Sequence, residues 1–238
     1  MGKERVVLVT GIGCHGKMAD YINVSSFYAL HGRTIPVATG IKSANNDLQV
    51  ICCAGDGDVY NEGISHLLHA AKRNSNITVI VHDNHVFSLT VKQPTSTSPE
   101  GFTGSSTPEG HPERPLNPVD LMLSVKASFV ARSFVGKQGH LKEVIKEGIE
   151  HKGFSFIEVL QPCVAWYNTF PEYAKRVYEM KEIPSSFKEA REKAQEWDYS
   201  NEADIPLGVF YKEQKEVLED KLEKTTEVDI GAILEKSK

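Results

Sequence analysis

Short apolar runs rich in β-branched residues alternate along this chain with longer stretches whose apolar positions recur at helical spacing. The first run, 6–9, ends in Gly11-Ile12-Gly13 and predicts a buried strand. Residues 18–30 then predict a helix, with Ile22, Phe27 and Leu30 among its apolar positions and His31-Gly32-Arg33 as a glycine stop. Residues 34–47, with Ala38, Gly40 and Ala44, predict a tightly packed second helix. The run 50–54 leads into Gly55-Asp56-Gly57-Asp58, and an amphipathic helix follows with Ile64, Leu67, Leu68 and Ala71 at helical spacing. Another run, 77–81, ends in His82-Asp83-Asn84. Strand, tight turn, helix and strand make a βαβ unit with carboxylates and an amide at its carboxyl ends, where open parallel sheets bind ligands.

The pattern breaks at 94–118, where Pro94, Pro99, Pro108, Pro112, Pro115 and Pro118 exclude a regular element. A loop of more than about 15 residues is usually functional or disordered, and directly after a ligand-bearing strand an ordered active-site cover is expected. Regular spacing resumes with a helix over 118–127 and a strand over 129–134. A helix over 141–151 and a strand over 154–160, closing on Gln161-Pro162-Cys163, come next. Beyond Glu172 the chain is rich in Lys and Glu, with a helix over 185–196, a last strand or extended arm over 206–211, and a solvated helix or frayed tail over 212–238. The expected fold is α/β, a mostly parallel sheet with helices on both faces. Residues 1–170 form its domain, and 171–238 form a charged C-terminal helical extension packed on that domain or on a partner.

Composition narrows the class without changing the fold. The 238 residues, 40% apolar, suffice for a real core, and the net charge of −5 argues against nucleic acid or an anionic membrane as the main partner. Lys3 to Arg5, then 6–12 and Gly13-Cys14, imitate a lipoprotein signal, but the apolar run lies at the bottom of the roughly 7–15-residue range. A buried first strand and a cytoplasmic protein are expected. Cys52 and Cys53 sit in an apolar strand as small hydrophobes, whereas Cys14 and Cys163 follow strands beside turns.

The chemistry concentrates on Asp56 and Asn84, which stand 28 residues apart (84 − 56), about one crossover. If their strands are neighbours, both side-chain oxygens reach one point above the sheet. A carboxylate and an amide oxygen suit Mg²⁺, which keeps part of its shell for substrate phosphates. The glycines permit close approach of a large anion, and the helix start after Asp58 favours phosphate. A Gly-Asp-Gly alone is also a common tight turn; the second residue set, one crossover on, points to a Mg²⁺-diphosphate site.

Gly55-Asp56-Gly57 followed by Asp83-Asn84 resembles the thiamine diphosphate motif. Thr10-Gly11-Ile12-Gly13-Cys14, Pro36-Val37-Ala38-Thr39-Gly40-Ile41-Lys42, His69-Ala70-Ala71-Lys72-Arg73-Asn74, Ser128-Phe129-Val130-Ala131-Arg132 and Gln161-Pro162-Cys163 narrow the resemblance. They are similar to the β subunit of a 2-oxoacid:ferredoxin oxidoreductase, over about 6–211. The resemblance implies thiamine diphosphate with Mg²⁺, oxidative decarboxylation of a 2-oxoacid, coenzyme A as acyl acceptor, and a [4Fe–4S] cluster passing electrons to ferredoxin. It also implies an α subunit with the pyrimidine-binding domain, in a symmetric heterotetramer. Residue by residue it makes Asp56, Asn84 and the carbonyl of Val86 the Mg²⁺ ligands. Gly55, Gly57 and Asp58 would surround the diphosphate, and Ile12, Gly13, Cys14 and His15 would line the cofactor. Ser88 and Leu89 would meet its middle, with Leu89 as the prop that bends it. Lys17 would bind the substrate carboxylate, with a solvated helix-start lysine as the alternative, and His66 and His69 would pack.

Two departures stand out. The family supplies a Cys-x-x-Cys besides the equivalents of Cys14 and Cys163, and this chain has none, so it offers half of the four thiolates a cubane cluster takes. Either the N-terminus is incomplete, another chain supplies the pair, or the cluster is lost. Second, Val91-Lys92 replaces residues among which the family carries glycine. A non-redox thiamine decarboxylase or lyase subunit, or a cofactor-binding remnant without turnover, stand as alternatives. A haloacid-dehalogenase-type phosphatase fails for want of an Asp-x-Asp before Asp56.

Overall fold

The computed structural model describes residues 2–222. Its main strands are β1 (Val6–Thr10), β2 (Ser25–Tyr28), β3 (Gln49–Gly55), β4 (Thr78–Asp83), β7 (Phe129–Phe134), β8 (Ser155–Leu160), β9 (Val177–Glu179) and β10 (Ile205–Lys212). They form one eight-stranded sheet in the order β2-β1-β3-β4-β8-β7-β10-β9. Every neighbouring pair is parallel except β10 with β7. A small hairpin, β5 (Val86–Phe87) with β6 (Gln93–Pro94), stands apart. The mostly parallel α/β fold with helices on both faces is therefore as expected.

Strand alternation sorts the core into two layers. Val50, Cys52 and Ala54 of β3 and Val79 and Val81 of β4 face α2 (Thr34–Ala44), α3 (Ile64–Arg73), α4 (Pro118–Ser124) and α7 (Phe187–Ala194). Cys53, Ile80, Ile157 and Val159 face the other side, where Val144 of α5 (Gln138–Glu150) packs. Cys52 and Cys53 thus lie on opposite faces of one strand. The proline-rich segment has no regular element after β6, yet Thr97, Ser98, Phe102 and His111 are buried in it. No helix among the described residues is long and apolar enough to cross a membrane.

Two expectations change and one open alternative is decided. The helix over 18–30 shrinks to α1 (Met18–Tyr21), and the rest becomes β2, pairing parallel along the free edge of β1. The side chains read as its apolar face are exposed, Ile22 at 40%, Phe27 at 50% and Leu30 at 74%. Val24, Phe27 and Tyr28 are strand formers, and an unsatisfied backbone edge outweighs a weak helical pattern. Between β3 and α3 the chain first makes a wide π-turn, Gly57–Glu62. Of the two alternatives for 206–211 the strand holds, as β10, which lies inside the sheet.

The C-terminal segment carries α6 (Phe170–Arg176), α7 and α8 (Leu218–Lys221), and also feeds β9 and β10 into the sheet. Its described end is docked rather than frayed. Asn74, left-handed at φ 55° after α3, donates from Nδ2 to the carbonyls of Lys215 and Glu216 at 3.3 and 3.1 Å, and Glu219 is buried against Asn76. The expected tail beyond 222 lies outside the described residues.

Candidate active site

One cleft of about 530 Å³ opens where β1, β3, β4 and β8 end. Ile12, Gly13, Cys14 and His15 line it from the loop after β1. Gly55, Asp56, Gly57 and Asp58 cross its centre, and Asn84, Val86, Ser88 and Leu89 close it from the run after β4. Every residue expected at the cofactor therefore shares one cavity. A side chain at Gly57 would collide with the Phe87 ring, and one at Gly55 would lie 2.7 Å from His15 Nδ1. Both positions leave bare backbone, as close approach of a large anion requires.

The two acids of the turn have different surroundings. Asp58 is a brace: the Gly32 amide donates to Oδ1 at 2.5 Å and the Thr34 hydroxyl to Oδ2 at 3.1 Å. His31 and His15 stand 3.4 and 3.7 Å from the same carboxyl. Asp56 is equally buried but thinly bonded, with the Thr97 hydroxyl 3.3 Å from Oδ2 and 2.8 Å from Asp83 Oδ1. A hydroxyl has one hydrogen and serves one of these carboxyls at a time. Burial, and then the neighbouring Asp83 charge, push Asp56 up to about 7. Burial and then Glu158 raise Asp83 well above the carboxylate range, while Glu158 itself accepts from the buried Arg132 Nε at 2.6 Å. A cation beside Asp56 would hold it ionised.

The Asn84 amide is an acceptor folded back on its own loop. The Val86 amide donates to Oδ1 at 3.0 Å, and Nδ2 donates to Ser88 Oγ at 3.2 Å. Oδ1 keeps a second lone pair. A carboxylate, an amide oxygen and a nearby backbone carbonyl fit a hard cation bound jointly with a diphosphate. Among the described residues no cluster of three His, Cys, Asp or Glu side chains is built to hold a metal by itself.

Sequence reasoning missed several groups here. His82 and Gln161 line the cleft, with His82 Nδ1 2.7 Å from Gln161 Oε1. Burial lowers His82 to about 4, so the ring is neutral and Nδ1–H donates. Its ring stacks 6.4 Å from that of His15, and Nε2 of each has no hydrogen-bond partner among the described residues. The adjacency of β4 and β8 is the signal that joins His82 to Gln161; nothing in the sequence marks Thr97. His66 and His69 lie outside the cleft, in a groove between α2 and α3.

Leu89 is 67% exposed at the cleft wall, an apolar side chain without cover. Cys14 is exposed with Sγ 3.6 Å from Ser88 Oγ. Cys163 pairs with Tyr167 in an isolated bridge two residues beyond Gln161 and does not line the cleft. Lys17 is exposed, also outside that lining, and its ammonium meets Asp20 at 3.1 Å. Val91 and Lys92 take φ of 70° and 66°, a left-handed backbone at the positions where the resemblance led glycine to be expected.

Fold and cleft together define a thiamine diphosphate-binding domain of the α/β kind. Residues 11–159 match the C-terminal TPP-binding domain of the thiamine pyrophosphate enzymes, and residues 163–227 match the C-terminal region of the pyruvate ferredoxin oxidoreductase β chain. The 2-oxoacid:ferredoxin oxidoreductase β subunit of Saccharolobus solfataricus is 39% identical over 228 residues, covering 89% of this chain and 73% of that protein. A 2-oxoglutarate synthase subunit of Methanothermobacter thermautotrophicus is 38% identical over 164 residues, 69% of this chain and 57% of that protein. The solved 2-oxoglutarate:ferredoxin oxidoreductase of Magnetococcus marinus, with 2-oxoglutarate, coenzyme A and succinyl-CoA bound, superposes with a TM-score of 0.88 at 30% identity, covering 100% of this chain and 84% of that one. The chain belongs to the β subunits of the 2-oxoacid:ferredoxin oxidoreductases.

Proposed function

We propose that this β subunit binds thiamine diphosphate with Mg²⁺ and, joined to an α-type subunit bearing the pyrimidine-binding domain, converts a 2-oxoacid and coenzyme A to acyl-CoA and CO₂, passing electrons to ferredoxin in the cytoplasm. The observation that carries the reading is the pairing of an underbonded, buried Asp56 with the Asn84 amide across one cleft. Asp56, Asn84 and the Val86 carbonyl would hold the cation, and the bare backbone at Gly55 and Gly57 would admit the diphosphate. When bound, the cofactor supplies the nucleophilic carbon and electron sink for decarboxylation. The protein's own part is positional: Asp58 ties Gly32 and Thr34, at the start of α2, to the turn, and Leu89 offers an apolar surface to bend a ligand over. Lys17 would serve the substrate carboxylate only by leaving Asp20.

Cys52 and Cys53 are buried on opposite sheet faces, so neither serves beside Cys14 and Cys163 as a cluster thiolate. A second reading, a non-redox thiamine lyase subunit, needs no cluster. Both are tested by assaying the assembled α and β chains with thiamine diphosphate, Mg²⁺ and a panel of 2-oxoacids. Coenzyme A-dependent reduction of ferredoxin or a viologen supports the proposal. CO₂ release without electron transfer supports the lyase, and turnover by β alone contradicts the need for a partner.

A further inference from the structure

Between the two expected cation ligands of the β4 loop stands His85, at φ 61°. A left-handed residue that is not glycine is uncommon and persists where its surroundings hold it. The surroundings here are specific. His85 Nδ1 lies 3.0 Å from the Thr97 carbonyl and Nε2 lies 2.7 Å from the Tyr173 hydroxyl. A carbonyl only accepts, so Nδ1 carries the proton, Nε2 is the acceptor, and Tyr173 O–H donates. The His85 amide donates to Asp83 Oδ1 at 3.1 Å, its carbonyl accepts from Ser98 Oγ at 2.5 Å, and its ring meets the edges or faces of Tyr167, Tyr173 and Tyr199. Two distant segments, the proline-rich loop and α6, thereby grip one strained residue. The Tyr173 ring is itself fixed against Phe134 and Trp197.

We propose that His85, clamped by Thr97 and Tyr173, is a positioning residue that holds the Asn84 side chain and the Val86 carbonyl in the spacing Mg²⁺ demands. The inference rests on the reading of the cleft as a Mg²⁺-diphosphate site. Its physical content is selectivity: Mg²⁺ requires near-ideal octahedral geometry at about 2.0–2.1 Å, whereas Ca²⁺ accepts looser arrangements at about 2.3–2.6 Å. A rigid turn favours the smaller ion, and a loosened one loses that preference.

Tyr173→Phe removes one hydroxyl and leaves the ring packing. Its thiamine diphosphate affinity is measured by calorimetry on the full chain, in Mg²⁺ and again in Ca²⁺, beside the melting temperature of the apo chain. The expected result is about a tenfold loss in Mg²⁺, less than twofold in Ca²⁺, and an apo melting temperature close to wild type. His85→Gly, which keeps the left-handed backbone accessible but deletes the clamp, should show the same selectivity change, more strongly. Equal losses with both ions, or no loss with either, overturn the clamp. Absence of cofactor binding by the wild-type chain overturns instead the reading on which the inference rests.

Discussion

The two walls of the cleft are built on opposite plans. On the β3–β4 wall Asp58, Asn84 and His85 have their polar groups bonded, and His85 is buried in a strained turn gripped from two sides. On the opposite wall, formed by the loop after β1, His15 and the His82 ring that stacks on it from the end of β4 each leave a ring nitrogen without a partner among the described residues, and Cys14 is exposed. Preorganisation belongs where a small cation and a diphosphate must be seated the same way in every turnover. On the proposed reading, the unpartnered groups are left free for substrate.

On this contrast, substitutions on the first wall act on cofactor binding. The largest effect is expected for Asp56→Ala, which deletes the carboxyl that faces Asn84 across the cleft and should weaken cofactor binding in Mg²⁺ by several kcal/mol, read by calorimetry. Next, Asp58→Ala should cost about 1–3 kcal/mol of folding stability in urea melts, because the Gly32 amide and Thr34 hydroxyl lose a buried acceptor. It should also weaken the cofactor less than Asp56→Ala does.

A third expectation concerns pH. The folded Asp56 sits at about 7, above its unfolded value of 3.8, so the apo fold binds the proton more tightly. Its contribution to apo stability is complete below about 4 and fades as pH rises to about 7, a change on the order of a few kcal/mol. Cation binding needs the deprotonated form, so Mg²⁺ affinity should rise with pH through 7. Paired urea melts and metal titrations between pH 5 and 8 check both slopes, and Asp56→Asn should flatten them. The smallest effect belongs to a residue just outside the cleft, on the segment that carries the second wall: Lys17→Ala should raise the 2-oxoacid KM severalfold with kcat and cofactor affinity unchanged, and no change in KM returns Lys17 to its surface pairing with Asp20.

The first wall was also the more legible in the sequence. Gly55-Asp56-Gly57 and Asn84 are separated by one crossover, and a parallel βαβ unit has few other ways to fold, so spacing alone placed them together. Local signals fail where long-range contacts decide. The stretch 18–30 carries an acceptable helical pattern, but half of it is drawn to the edge of β1. Tyr173 reaches His85 across 88 residues and Asn74 holds Lys215 across 141, distances over which no periodicity speaks. Thr97 lies in a proline-rich loop whose composition marks the absence of regular structure and says nothing about which hydroxyl turns inward.

The contrast between the walls holds only if the cleft is a divalent-cation-dependent thiamine diphosphate site. The direct measurement is calorimetric titration of the full chain with thiamine diphosphate, in Mg²⁺ and again with a chelator. Saturable binding at one cofactor per chain is expected with Mg²⁺, and none with the chelator. Equal binding under both conditions, or no binding under either, would contradict it.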